Sequence, residues 1–166
     1  MLPLMVVQEL SMAHSQLQMI EATVSIKASA EQVYDVICNK THQIPKIFPE
    51  KALSVEILKG AWGTEGSVLF WNYLHEGKVC VAKEVIEGID KKNNKIAFKV
   101  IEGDILGYYK SFKFVMQVIP KENRSMVHSV VEYEKLKDDI PDPHSLLQST
   151  VDLTKKINAY LTQGCN

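Results

Sequence analysis

The stretch LKGAWGTEGSV, residues 58–68, decides between two kinds of fold. It places Gly60, Gly63 and Gly66 within seven positions, just ahead of an apolar run. Glycine-rich loops cradle phosphates in nucleotide-binding α/β proteins, where a lysine reaches the outer phosphates and a helix starts behind the loop. Here Ser67 follows Gly66, no lysine is present at that point, and VLFWNYL reads as a strand. The GxGxxG spacing is missing too. The alternative is a tight hairpin whose glycines take positive φ between two antiparallel strands. That reading sets the sheet.

The flanking sequence agrees. Six segments, 52–58, 67–74, 78–87, 95–101, 108–119 and 125–135, read as strands, with the turn-like HEGK, IDKKNN, EGDILG and PKENR among their separators. Gaps this short leave no room for helical crossovers, so the strands form an antiparallel meander. Upstream, QMIEATVSIK (18–27) alternates from Ile20 onward and adds a seventh strand. In ASAEQVYDVIC (28–38), Ser29 is an N-cap, Gln32 completes a capping box, and Val33, Val36 and Ile37 share a helical face. THQIPKIF (41–48) is a second short helical piece, broken by Pro45 and Pro49. Beyond Lys137 the period changes. Asp142 as N-cap and Pro143 at the first helical position open a run in which Leu147, Val151, Thr154, Ile157 and Leu161 recur at threes and fours. A helix of about 18 residues ending near Gly164 is expected from that period. The fold class is therefore α+β: a curved seven-stranded antiparallel sheet, a long C-terminal helix, and two short helices after the first strand.

Composition excludes several classes of function. The 166 residues carry a net charge of −1, with 46% hydrophobic and 23% charged residues and the signs interspersed, so there is no footprint for nucleic acid. No apolar run approaches the roughly 18 residues of a membrane span. Cys38, Cys80 and Cys165 give an odd, widely spaced set that reads as reduced thiols in the cytoplasm. The opening MLPLMVVQEL lacks a basic n-region and a small-residue cleavage site. It is read as a disordered extension over 1–14, ahead of a single domain over 15–166.

GAWGTEGSVLFWNY (60–73), IEGD (101–104) and VEYEKLKDDIPDP (131–143) resemble the major latex protein group of plants, within the birch-pollen-allergen (Bet v) and pathogenesis-related class 10 superfamily. The resemblance spans roughly residues 16–162. It implies a helix-grip fold with a large apolar cavity between sheet and helix, and a glycine loop that is a rigid hairpin. It also implies a carrier for small hydrophobic metabolites or hormones, linked to defence or stress: cytokinins, steroids, flavonoids, fatty acids or specialised metabolites. A monomer or weak dimer with no cofactor, metal, nucleic acid or membrane insertion is expected.

Alternation names the side chains that would line such a hollow. They are Phe112, Phe114, Met116 and Val118 on one strand, Ile96, Phe98 and Val100 on another, and Val79 and Val81 on a third. Tyr133 falls with Val127, Ser129 and Val131, and the helix contributes Leu147, Val151 and Thr154. In SVLFWNY the phase is ambiguous: Val68, Phe70 and Asn72 share one face, Leu69, Trp71 and Tyr73 the other. The ligand-binding set taken forward is Phe70, Asn72, Val79, Val81, Phe98, Val100, Phe112, Phe114, Met116, Tyr133, Leu147, Val151 and Thr154. Polar candidates at the wall are Tyr133, His128, Asn72, Ser129 and Thr154. The same residue types fill a close-packed core or line a pocket, and the resemblance favours the pocket.

No catalytic constellation stands out. The five histidines show no HExxH spacing, no GxSxG elbow exists, and no cysteine is placed as a nucleophile. Glu84, Glu87, Glu102, Asp104, Glu132 and Glu134 lie on or beside strands, where solvation is the default. Superfamily relatives include norcoclaurine synthases, which use a tyrosine, a glutamate, a lysine and an aspartate. Glu84 matches the glutamate, whereas Ala82, Ala97 or Ile96, and Phe114 stand at the other three positions, so that activity is not expected. Weak ribonuclease activity, claimed for class 10 relatives, lacks a basic groove here. The alternative function is an enzyme of specialised, alkaloid-type metabolism doing acid–base isomerisation or cyclisation, with Glu84, His128 and Tyr133 as candidate groups.

Overall fold

The computed structural model describes residues 16–163, so the extension expected over 1–14 lies outside the described residues. The chain runs through β1 (Gln18–Ile26), α1 (Ala30–Cys38), a 3-10 turn (Thr41–Gln43), α2 (Ile44–Ile47), β2 (Ala52–Lys59) and β3 (Val68–His75). It continues through β4 (Lys78–Asp90), β5 (Lys95–Gly103), a 3-10 turn (Asp104–Gly107), β6 (Tyr109–Lys121), β7 (Arg124–Lys135) and α3 (His144–Thr162). The seven strands form one antiparallel sheet in the order β1-β7-β6-β5-β4-β3-β2. β2 to β7 are the expected meander, and β1 returns to pair with β7, with Gln18 opposite Tyr133 and Ile26 opposite Ser125. This is the α+β, helix-grip arrangement.

Local chemistry sets the helix starts, with two departures from expectation. Ser29 Oγ accepts the Gln32 backbone N–H at 3.2 Å and donates to Gln32 Oε1, so the capping box closes through the side chains. Pro45 does not break the second helical piece: it sits in the first turn of α2, where its missing N–H is tolerated. Asp142 is not the N-cap of α3. Its carboxylate instead accepts the Tyr133 hydroxyl at 2.6 Å and pairs with Lys135 Nζ at 3.0 Å, and α3 starts after Pro143 without a side-chain cap.

The β2–β3 loop is a hairpin, as its lack of a phosphate-loop lysine requires. Gly60 and Gly63 have φ of +89° and +75°. A Cβ on Gly60 would collide with Ser67 Oγ, and one on Gly63 with the Asn39 side chain. Ser67 cannot yield easily, because its hydroxyl donates to Ala61 O at 2.8 Å and accepts the Ala61 N–H at 3.0 Å. Gly60→Ala is therefore expected to cost at least about 1–2 kcal/mol for the left-handed conformation alone, read as a lowered urea midpoint with unchanged slope. Trp62 is half-buried against the core with its ring 5.2 Å from His42.

Two packed clusters hold the sheet to the helices. One joins α1 and the distal part of α3 to the sheet through Val33, Ile37, Leu69, Ile86, Ile96 and Ile157. The other lies at the opposite end, where Phe112 stacks edge-on against Tyr109 and Phe114, with Tyr133, Leu146 and Leu147 around it. Asn158 Oδ1 accepts the backbone N–H groups of Lys27 and Ala28, pinning α3 to the end of β1. Because α3 packs chiefly on β1 and β7, it crosses β3–β5 without filling the space above them.

Candidate functional site: an apolar cavity between sheet and helix

That space is a cavity of about 170 Å³. Its floor is Trp71 and Tyr73 on β3, Ala82 and Glu84 on β4, Phe98 on β5, and Phe114 and Met116 on β6. The roof is Leu146, Ser149, Thr150 and Leu153 of α3, and Ile37, Thr41, Ile44 and Phe48 close one end. Small side chains facing each other, Ala82 below and Ser149 and Thr150 above, keep the walls apart. The half-buried Lys51, Leu74, Ser149 and Leu153 border the outer side. Near that border His75 Nε2 lies 2.8 Å from Ser145 Oγ, tying the end of β3 to the start of α3.

Of the expected lining residues, Phe98, Phe114 and Met116 face this space. Val100, Phe112, Tyr133 and Leu147 are buried in the adjoining cluster, and Thr154 is fully buried, its hydroxyl donating to Thr150 O. None of these five borders the cavity. α3 is turned relative to the expected face, so Leu146, Thr150 and Leu153 take the place given to Leu147, Val151 and Thr154. The phases expected for β3 and β4 are corrected outright. Leu69 is fully buried, and Trp71 and Tyr73 point inward with Ala82 and Glu84. Phe70, Asn72 and Val81 occupy the other face, where Asn72 Nδ2 donates to Ser54 Oγ at 3.0 Å, and Val79 is 66% exposed. Valine favours strands on either face, so Val79 and Val81 reported strand and not side.

The carboxylates separate cleanly. Glu87 and Glu132 both meet Lys113, at 2.8 and 3.7 Å, Glu102 meets Lys83 at 2.6 Å, and Glu134 meets Lys110 at 4.0 Å. Asp104 Oδ2 accepts the Val81 N–H at 2.7 Å. His128 is on the outer side of the sheet, 3.0 Å from Glu21, and the Tyr133 hydroxyl is committed to Asp142. Glu84 alone of this set lies within the cavity wall, with 8% of its surface exposed. Burial pushes its carboxyl up to about 7. The Trp71 indole N–H acts against that shift by favouring the carboxylate, without closing into a hydrogen bond of normal geometry. Tyr73 Oη is likewise buried without a partner, and burial raises its hydroxyl pKa, with Cys80, Asp104 and Glu84 adding to the effect. An unpaired buried donor costs about 1–3 kcal/mol, so Trp71 and Tyr73 are unusual in this wall. Among the described residues no group of three or more His, Cys, Asp or Glu is placed to hold a metal, and no helix is long and apolar enough to cross a membrane.

Comparisons with known proteins place this architecture. Residues 15–164 match the model of the pathogenesis-related protein Bet v 1 family. MLP-like protein 43 of Arabidopsis thaliana is 40% identical over 151 residues, covering 90% of this chain and 96% of that protein. MLP-like protein 34 of Arabidopsis thaliana is 44% identical over 144 residues, covering 86% of this chain, which spans 46% of that protein's length. The crystal structure of ginseng major latex-like protein 151 from Panax ginseng superposes with a TM-score of 0.84 at 30% identity, covering 87% of this chain and 97% of the other. Norcoclaurine synthase from Thalictrum flavum shares the fold alone, at 18% identity and a TM-score of 0.74 over 89% of this chain and 88% of that one. A helix gripped by seven antiparallel strands, a glycine hairpin in place of a phosphate loop, and a family match across nearly the whole chain lead to one assignment: the chain belongs to the Bet v 1 family, with major latex-like proteins as its relatives.

Proposed function

We propose that the protein is a non-catalytic carrier or receptor that holds a small hydrophobic metabolite or hormone in the cavity between sheet and α3. The observation that carries this reading is the cavity itself, about 170 Å³ and walled almost wholly by apolar side chains. An apolar cavity of about 150 Å³ takes up benzene, so a guest about the size of one ring fits without rearrangement. A role in defence or stress accords with the pathogenesis-related description of the family, and the reading takes the protein to act in the cytoplasm as a monomer or weak dimer. Displacement of an apolar fluorescent dye tests the reading. Saturable uptake of the dye and its displacement by small apolar compounds are expected. No saturable displacement up to about 100 μM, a concentration corresponding to a binding energy of only about −5.5 kcal/mol, would remove it.

One observation favours a second reading. Glu84 is a buried carboxyl poised near neutrality, the state that acid–base isomerisation or cyclisation requires. Turnover of a guest that is lost in Glu84→Gln would mark the protein as an enzyme of specialised metabolism.

A further inference from the structure

The carrier reading leaves open what the cavity selects, and three polar groups in its wall bear on that. Trp71 and Tyr73 stand at alternate positions of β3, opposite Ala82 and Cys80, which puts Glu84 diagonal to Trp71 on β4. Trp71 Nε1 and Tyr73 Oη are buried donors that close no hydrogen bond of full geometry, and the buried Glu84 acts electrostatically on both. All three side chains line the same space, whose other polar members are Thr41, Lys51, Ser149 and Thr150, and the Thr41 hydroxyl donates to Ile37 O. A wholly apolar guest leaves these groups as they are. An anionic guest must itself be taken out of water, and where Glu84 is ionised it adds a second negative charge beside a buried one. A hydroxyl can accept from a donor and give its own proton to a carboxyl oxygen at once.

We propose that the cavity selects neutral, apolar molecules of about one-ring size that carry a hydroxyl at one end, the hydroxyl oxygen accepting from Tyr73 or Trp71 and its proton donated to Glu84. This inference rests on the carrier reading, and it assigns chemistry to one wall. The roof contributes little to it, since the Thr150 hydroxyl donates to Leu147 O and the Ser149 hydroxyl to Ser145 O. Selection therefore lies with the β3–β4 side.

Four probes of one shape test it on the full chain by calorimetry at pH 6 and 8: toluene, p-cresol, p-toluate and 4-methylbenzylamine. The expected result is p-cresol binding about tenfold tighter than toluene, the effect of one or two net hydrogen bonds, with p-toluate weakest. Tyr73→Phe, which removes only an unpaired hydroxyl, is expected to shrink the p-cresol-to-toluene affinity ratio towards one. Glu84→Gln is expected to ease the exclusion of p-toluate at pH 8, where Glu84 is ionised, more than at pH 6, with thermal melts confirming that both variants fold. Equal binding of toluene and p-cresol, or tightest binding of the amine, would overturn the selection while leaving the carrier intact. Binding of none of the four, with no dye uptake, would overturn the carrier and this inference together.

Discussion

Replacing Glu84 by glutamine is expected to raise stability at pH 8 by about 3 kcal/mol and to change it little at pH 4. The sign follows from the direction of the shift. Glu84 has a carboxyl raised from 4.5 to about 7 because it is taken out of water, so the folded protein holds this proton more tightly than the unfolded chain. Its contribution is fully present below pH 4.5, declines as pH rises from 4.5 to about 7, and is flat above that. The gap between those values corresponds to about 3 kcal/mol. Glutamine keeps the size and a neutral head and has no proton to lose. Other carboxyls titrate in the opposite sense. Asp142 is held below its usual range first by the Tyr133 hydroxyl and then by Lys135, so its contribution is lost on acidification. That term is common to both proteins, and the difference between their stability–pH curves isolates Glu84. Parallel curves from pH 4 to 9 would show that the carboxyl is not poised as described.

Phe112→Ala should produce the largest loss. Phe112 is 1% exposed and meets Tyr109 and Phe114 edge-on, each with ring centroids 5.1 Å away. Removing the ring deletes both contacts and opens a void beside β6 that the rigid sheet cannot collapse into. A cost of about 3–5 kcal/mol is expected, a fall in melting temperature on the order of 10 °C. Val79→Ala, at a position 66% exposed, serves as the contrast and should stay within about 0.5 kcal/mol. A loss at Phe112 no larger than at Val79 would contradict the packing described.

How legible these sites were varied along the chain for physical reasons. β5 to β7 alternate large apolar residues with lysine, glutamine or serine, so the inward phase of Phe98, Phe114 and Met116 could be read directly. β3 and β4 carry apolar residues on both faces, and there the hydrophobic pattern loses its information. Trp71 and Tyr73 are inside although Phe70 on the other face is as apolar, and Ala82 and Glu84 are inside although Val79 and Val81 look the better core residues. In α3 the faces differ by one position, because Ser149 and Thr150, outside the apolar repeat of Leu147, Val151 and Thr154, roof the cavity where small size matters more than polarity. Asp142 looked like a cap, but Tyr133 and Lys135 at the end of β7 both take its Oδ1, a competition set up where the chain turns from β7 into α3. Glu84 is the most instructive miss of phase. A charged residue breaking the pattern of an inward face is a local inconsistency, and such positions concentrate where a protein does something other than fold.

The pairing of β1 with β7 also governs how the molecule comes into being. Gln18 finds Tyr133 only after all the intervening chain has been laid down. A polypeptide emerging from the ribosome must therefore carry its first strand unpaired until the seventh arrives, and closing a loop of about 100 residues adds an entropic barrier that local turns do not face. Contacts so remote in sequence slow folding. The β1–β7 edge is thus the part of the sheet that waits longest for its partner strand.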